Sequence, residues 1–205
     1  DLPGTYSLSA NSTEERIARD YILRERPDVV VAIVDATALE RGLYLVAELL
    51  ALPAPVVVGL NMVDVAEQQG VQVEAHVLEA SLGLPVVPMA AARNRGLGEL
   101  LQAIRRVTDD PEGYAPRRPV IRADHADVLR ELEDLIGTGV PEPYAASWVA
   151  LKLLEGDSEI TGMVRQRLEP GRWAQVHAIL MRHEDAILAV AGGRYEWIGR
   201  MVRAA

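Results

Sequence analysis

Cysteine is absent from the 205 residues, which removes disulfides, thiolate metal sites and cysteine nucleophiles together and fits a reducing compartment. Basic residues are scarce. There are 21 against 30 acidic ones, a formal charge of -9, which argues against a broad basic surface for a phosphate backbone and so against nucleic acid as a partner. Lysine is nearly missing: Lys152 is the only one, and every other basic residue is arginine. Long apolar runs are missing too. The longest uncharged stretch, Leu49 to Val63, is interrupted by Pro53, Pro55 and Asn61 and falls short of the roughly 18 to 20 residues that span a bilayer. No signal-peptide pattern follows Asp1, and no repeat or low-complexity tract suggests a solenoid. What the chain does have is 49% hydrophobic residues, enough to bury one sizeable core or two modest ones.

Two halves differ in texture. In the first, Val29 to Val34 and Val56 to Leu60 are short, Val-rich apolar runs, the pattern of strands covered on both faces of a parallel sheet, and Val86 with Val87 makes a third. Helical patterns lie between them. Ser12 and Glu15 form a capping box before Ile17, Leu39 to Leu52 carries Leu at helical spacing, and Leu97 to Val107 follows the third run. Repeated βα units predict a doubly wound, mostly parallel α/β sheet over residues 1–108, with its sites at strand C-terminal ends. Residues 109–119, with Pro111, Gly113, Pro116 and Pro119, are punctuated like a linker. Residues 120–205 predict an all-α helical bundle, with Val128, Leu132 and Ile136 on one helical face, and Trp148, Trp173 and Trp197 as core anchors.

Three loops of the first half carry chemistry. Asp1, Leu2, Pro3 and Gly4 spell D-x-x-G, in which a carboxylate can hold a magnesium ion through water and a glycine lets its backbone N–H approach a terminal phosphate. The same four residues also describe an ordinary turn. Asn61, Met62, Val63 and Asp64 follow the second strand as N-x-x-D. A carboxylate there can accept from the ring N–H and the exocyclic amine of guanine, and adenine would leave it unpaired. An Asp helix cap is the plain alternative. The segment Pro88 to Gly96, with Ala90, Ala91 and Ala92, follows the third strand, where backbone N–H groups can meet the guanine oxygen, or simply form a βα loop. The order of the three pieces, each after a strand, favours a GTPase.

DLPGTYSL at Asp1 to Leu8, ARDY at Ala18 to Tyr21, VDATALER at Val34 to Arg41 and NMVDV at Asn61 to Val65 resemble the cytosolic GTPase domain of the ferrous iron transport protein B (FeoB) family. WVALKLLEGD at Trp148 to Asp157 and RYEWI at Arg194 to Ile198 are similar to the helical domain that follows it there. The resemblance implies a P-loop GTPase-like fold that binds and hydrolyses GTP with Mg²⁺, and a helical domain that modulates nucleotide release. It also implies attachment to a transmembrane iron-permease segment, as the cytoplasmic portion of a bacterial inner-membrane protein, and is compatible with an oligomer. Matched position by position, Asp1 and Gly4 fall on the magnesium and γ-phosphate motif. Thr5 stands where many GTPases have Gln, and Thr5 to Ser12 match the loop that senses the γ-phosphate. Asn61 and Asp64 match the guanine reader, and Ala90 to Ala92 the third base loop, where relatives often have Ser beside Ala.

The phosphate-cradling G-x-x-x-x-G-K-[S/T] is nowhere in the chain, because Lys152 lies between Leu151 and Leu153. The resemblance therefore implies a G domain entered part-way, with the K⁺ and phosphate contacts upstream, and a chain that alone binds GTP weakly or not at all. Two function classes follow: a GTP-hydrolysing switch for Fe²⁺ uptake, or a non-catalytic interaction module that kept the fold and lost the nucleotide. Other residues carry simpler readings. Asp35 and Thr37 read as a helix cap, Glu131, Glu133 and Asp134 as a solvated helix face, and His76, His125, His177 and His183 share no ligand spacing, so no metal is assigned to them.

Overall fold

The computed structural model describes residues 1–8, 12–119, 123–137 and 139–205. Part of the γ-phosphate-sensing segment, residues 9–11, and the expected start of the bundle, residues 120–122, therefore lie outside the described residues. The chain forms two compact units. The first holds residues 1–8, 14–119 and 196–205, and the second holds 9–13 and 120–195.

The first unit is built on a parallel sheet of β1 (Val30–Asp35), β2 (Val56–Asn61) and β3 (Val86–Pro88), in that spatial order. Val30 pairs with Val56 through to Asp35 with Asn61, and Val58 pairs with Val86 through to Leu60 with Pro88. Parallel strands in this register end together, so the loops after all three share one edge of the sheet. Val56, Val57, Val58 and Leu60 of the central strand are fully buried, as its continuous apolar run requires. Around the sheet run α1 (Thr13–Glu25), α2 (Leu39–Leu49), α3 (Val63–Gln68), α4 (Ala75–Leu82) and α5 (Leu97–Asp109). Leu100, Ala103 and Val107 of α5 pack on Val57, Val87 and Met89. The helix expected over Leu39 to Leu52 stops at Leu49: Leu50 N–H makes a last bond to Val46 O, and Ala51 and Leu52 N–H donate three residues back, to Glu48 O and Leu49 O.

The punctuated segment 109–119 is bound to the first unit. Arg117 N–H donates to Leu82 O (2.7 Å), Arg118 Nε to Leu50 O (2.9 Å), and Tyr114 Oη accepts from Val56 N–H (2.8 Å). The final residues return to the same unit. Trp197, 1% exposed, donates from Nε1 to Arg117 O (3.1 Å), and Ala205 O accepts from Glu74 N–H (2.9 Å). Trp197 therefore anchors the first unit and not the bundle expected from its spacing. The second unit is helical: α6 (Ala123–Ile136), α7 (Ala146–Leu154), α8 (Ser158–Arg167), α9 (Pro170–Arg182) and the first part of α10 (Ala186–Ala204). Its core includes Leu132, Ile136, Trp148, Val149, Ile160, Val164 and Val176. Asp157 caps α8 by accepting from the N–H groups of Glu159 and Ile160, both at 3.0 Å.

Candidate functional site

Each strand of the sheet delivers a polar or small residue to the shared edge. At the end of β1, Asp35 Oδ1 accepts from Thr37 N–H (2.8 Å) and Thr37 Oγ1 (2.7 Å), capping the 3-10 turn Ala36–Ala38 that leads into α2. That engagement makes Asp35 structural.

At the end of β2 the chain turns sharply. Met62 takes a left-handed conformation (φ 62°, ψ 28°), and α3 begins at the next residue. The turn sets Asn61 facing the loop after β3, where its Oδ1 accepts from Ala91 N–H at 3.0 Å. Val63 N–H donates to Met89 O (3.2 Å) and Met89 N–H to Leu60 O (2.7 Å), so three hydrogen bonds bind the two loops. Asp64 falls in the first turn of α3, where the helix N-terminus favours a carboxylate. Its side chain is 14% exposed, and Oδ2 lies 3.0 Å from Arg93 Nε. Arg93 is mostly exposed and belongs to the candidate segment Pro88 to Gly96, but its pairing with Asp64 is not legible in the sequence, because an ion pair between two loops leaves no spacing signal.

The loop after β3 closes on itself. Ala90 N–H donates to Arg95 O (3.1 Å) and Arg95 N–H to Ala90 O (3.2 Å), around a 3-10 turn over Ala91–Arg93 with Asn94 left-handed. Ala90 is buried, whereas Ala91 and Ala92 lie nearer the surface. The structure thus brings Asn61, Met62, Val63 and Asp64 together with Ala90, Ala91 and Ala92.

The opening segment forms a second group. Asp1 and Gly4 are exposed, Leu2, Pro3 and Thr5 half-buried, and a Cβ placed on Gly4 meets nothing within 4 Å. Thr5 Oγ1 donates to Ser7 O (2.5 Å), Ser7 Oγ to Glu15 Oε1 (2.5 Å), and Leu8 N–H to the buried Glu48 carboxylate. Arg41 stacks over the Tyr6 ring, its guanidinium carbon 3.9 Å from the centroid.

In the helical unit two of the histidines, which share no ligand spacing in the sequence, are neighbours in the structure. His125 and His183 come from different helices and lie side by side with Asp185, a juxtaposition that spacing along one helix cannot reveal. Among the described residues no helix is long and apolar enough to cross a membrane.

Comparison with known proteins supplies the family. Residues 1–104 match the family model described as ferrous iron transport protein B, and residues 124–205 match the one described as the FeoB cytosolic helical domain. Among curated proteins, the Fe(2+) transporter FeoB of Escherichia coli K12 is 36% identical over 208 residues, which cover 97% of this chain and 26% of the relative. The Fe(2+) transporter FeoB of Salmonella typhimurium LT2 is 37% identical over 207 residues, with the same two coverages. The chain thus spans about a quarter of the length of these relatives. Among solved structures, an NFeoB mutant from S. thermophilus bound to GDP has a TM-score of 0.88 at 32% identity, covering 100% of this chain and 79% of that one. NFeoB from S. thermophilus bound to GDP·AlF4⁻ and K⁺ has a TM-score of 0.86 at 32% identity, covering 99% and 79%. The cytosolic domain of L. pneumophila FeoB has a TM-score of 0.81 at 29% identity, covering 99% and 77%. The chain belongs to the FeoB family, with the family's GTPase fold in its first half and the cytosolic helical domain in its second.

Proposed function

We propose that this chain is the base-reading and regulatory portion of a GTP-hydrolysing Fe²⁺ transporter, in which Asp64 selects guanine and nucleotide state governs iron uptake. The observation that carries the reading is the pairing of loops at the sheet edge. A mostly buried carboxylate at Asp64 sits beside a loop whose backbone is fixed by Asn61 Oδ1. A pre-positioned carboxylate can accept both donors of guanine, while adenine would strand it. Asn61 spends its carbonyl oxygen on Ala91 N–H and so holds the third loop where a base edge would meet its backbone. Arg93 Nε on Asp64 Oδ2 holds the carboxylate in place without exhausting it, because each carboxylate oxygen can accept more than one donor.

Gly4 fits the γ-phosphate end of the same scheme, since open space at its Cβ position lets a phosphate approach the backbone. Asp1 is the residue that would hold Mg²⁺ through water, and the ion would supply charge neutralisation at the β- and γ-phosphates. Thr5 replaces a water-positioning Gln, which predicts slow intrinsic hydrolysis. K⁺, which NFeoB from S. thermophilus binds together with GDP·AlF4⁻, is a further cofactor of the whole transporter on this reading. The partners of the whole protein would be guanine nucleotide and an attached membrane permease segment.

The base-reading role is tested in the full-length transporter. Asp64→Asn should weaken GTP binding and improve binding of xanthine nucleotides, because the substitution exchanges acceptor for donor. An unchanged preference removes Asp64 as the reader. For the 205 residues alone the expectation is different. They contain no G-x-x-x-x-G-K-[S/T], so calorimetry should find no submicromolar GTP binding. The lack of that motif in these 205 residues favours a second reading of them as a non-catalytic interaction module. Translating the DNA upstream of Asp1 separates the two: a phosphate loop within about 60 residues restores the enzyme, and a start codon at that point removes it.

A further inference from the structure

Outside the nucleotide site, the described residues gather one more set of metal-ligating side chains. His125 lies in the first turn of α6, His183 is the C-terminal cap of α9, and Asp185 directly precedes α10. One ligand atom from each lies within 4.8 Å of the other two. His125 Nε2 is 4.0 Å from Asp185 Oδ2, and the two imidazole rings meet edge to face with centroids 6.1 Å apart.

We propose that His125, His183 and Asp185 form a binding site for a first-row divalent transition-metal ion. Two imidazoles and one carboxylate make a donor set that selects such ions over Mg²⁺ and Ca²⁺, which prefer all-oxygen shells. The site is built from inside outward. His125 is 4% exposed and fixed in the bundle, His183 is half-buried, and the Asp185 side chain is 77% exposed. An ion can therefore arrive from solvent onto a rigid inner ligand and keep water in its remaining positions, as open three-ligand sites do.

The corner carrying the two outer ligands is held by its own backbone. His183 N–H donates to Ile179 O (3.1 Å) and Leu180 O (3.2 Å), and His183 O accepts from Ala186 N–H (2.9 Å). Metal–ligand bonds of about 2.1 Å put neighbouring ligand atoms roughly 3.0 to 3.5 Å apart. The cluster, whose ligand atoms lie within 4.8 Å of one another, must therefore contract onto an ion, the exposed Asp185 by a change of rotamer and the half-buried His183 by turning its ring toward His125. All three residues belong to the second unit, so the site is independent of the nucleotide reading.

The test is a Zn²⁺ titration of the untagged 205-residue chain by calorimetry in excess Mg²⁺, repeated with Co²⁺ read by its visible absorption. One Zn²⁺ per chain is expected, with Co²⁺ bands of a nitrogen- and oxygen-ligated ion. His183→Gln and Asp185→Asn should each weaken Zn²⁺ by about tenfold or more and reduce the Co²⁺ bands. Both positions lie outside the core, and circular dichroism melting checks that the variants fold. His177→Gln, an exposed histidine outside the cluster, should bind as the parent does. Equal Zn²⁺ affinity in the parent and in folded His183→Gln and Asp185→Asn would overturn the proposal, as would a failure of the parent to bind Zn²⁺.

Discussion

Gly96 shows how strictly the base loop is specified at single positions. Its φ is +90°, and a Cβ there would come within 2.5 Å of Pro88 O and 2.9 Å of Met89 Cγ. Both the backbone strain and the clash are relieved only by moving the loop that Asn61 braces. Gly96→Ala should therefore destabilise the protein by about 1–3 kcal/mol in chemical denaturation. An unchanged midpoint and slope would show that the loop adapts without cost. Legibility at this scale was uneven. Asn61 and Asp64 stood out because a polar pair after a Val-rich strand is a local pattern, and the strand register carries it to the edge shared with the loop after β3. The pairing of Arg93 with Asp64 and the His125, His183 and Asp185 cluster were invisible, because the partners come from different elements and tertiary proximity has no fixed spacing.

At the scale of elements, strands were easier to read than short helices. The run Val56 to Leu60 is apolar and buried throughout because both faces of the central strand are covered, and Val30 to Val34 is apolar although Ile33 is exposed, whereas α3, only six residues long, is held by its place after the β2 turn and has little periodicity to display. Segment 109–119 read as a linker because Pro and Gly interrupt it, yet Tyr114 ties it to the start of β2. Burial pushes the Tyr114 hydroxyl above the ordinary tyrosine value of 10.0, against the opposing influence of the Val56 N–H and the Arg118 charge. With the folded value raised, the neutral phenol's contribution to stability is complete below pH 10.0 and is lost as pH rises through the folded value. Tyr114→Phe should cost about 1 kcal/mol at neutral pH by removing the acceptor for Val56 N–H, and should flatten the alkaline decline in urea melts. A decline of the same depth in the variant would assign it to other groups. In the helical unit, Glu155 at the end of α7 binds Lys152 Nζ (2.6 Å) and Arg194 of α10 (2.5 Å), all three largely buried. Glu155→Ala removes the carboxylate that the two buried cations share, and about 3–5 kcal/mol of lost stability is expected from equilibrium unfolding.

The whole molecule is not partitioned as the chain is written. The first unit is completed by residues 196–205, although nearly eighty residues of the second unit intervene. The sequence offers Trp148, Trp173 and Trp197 as bundle anchors, with one of them free to face the GTPase half, but periodicity cannot register which, nor that one helix contributes to two cores. The burial is substantial: Trp197, Ile198 and Met201 are 1%, 4% and 8% exposed, and the Trp197 indole N–H is satisfied by Arg117 O. Removing a buried Trp costs about 3–5 kcal/mol, which corresponds to a factor of more than 100 in the opening equilibrium of the structure it supports. The first unit holds the sheet and every proposed nucleotide contact, so a chain ending at Tyr195 should lose protection in β1 and β2 by about that factor in amide hydrogen exchange. Trp197→Ala in the full chain should give the same change at the same strands, with α8 and α9 of the second unit unaltered. If strand protection survives both changes, the sheet's stability comes from α1 to α5 alone, and the returning C-terminal segment is dispensable to the edge that carries Asn61 and Asp64.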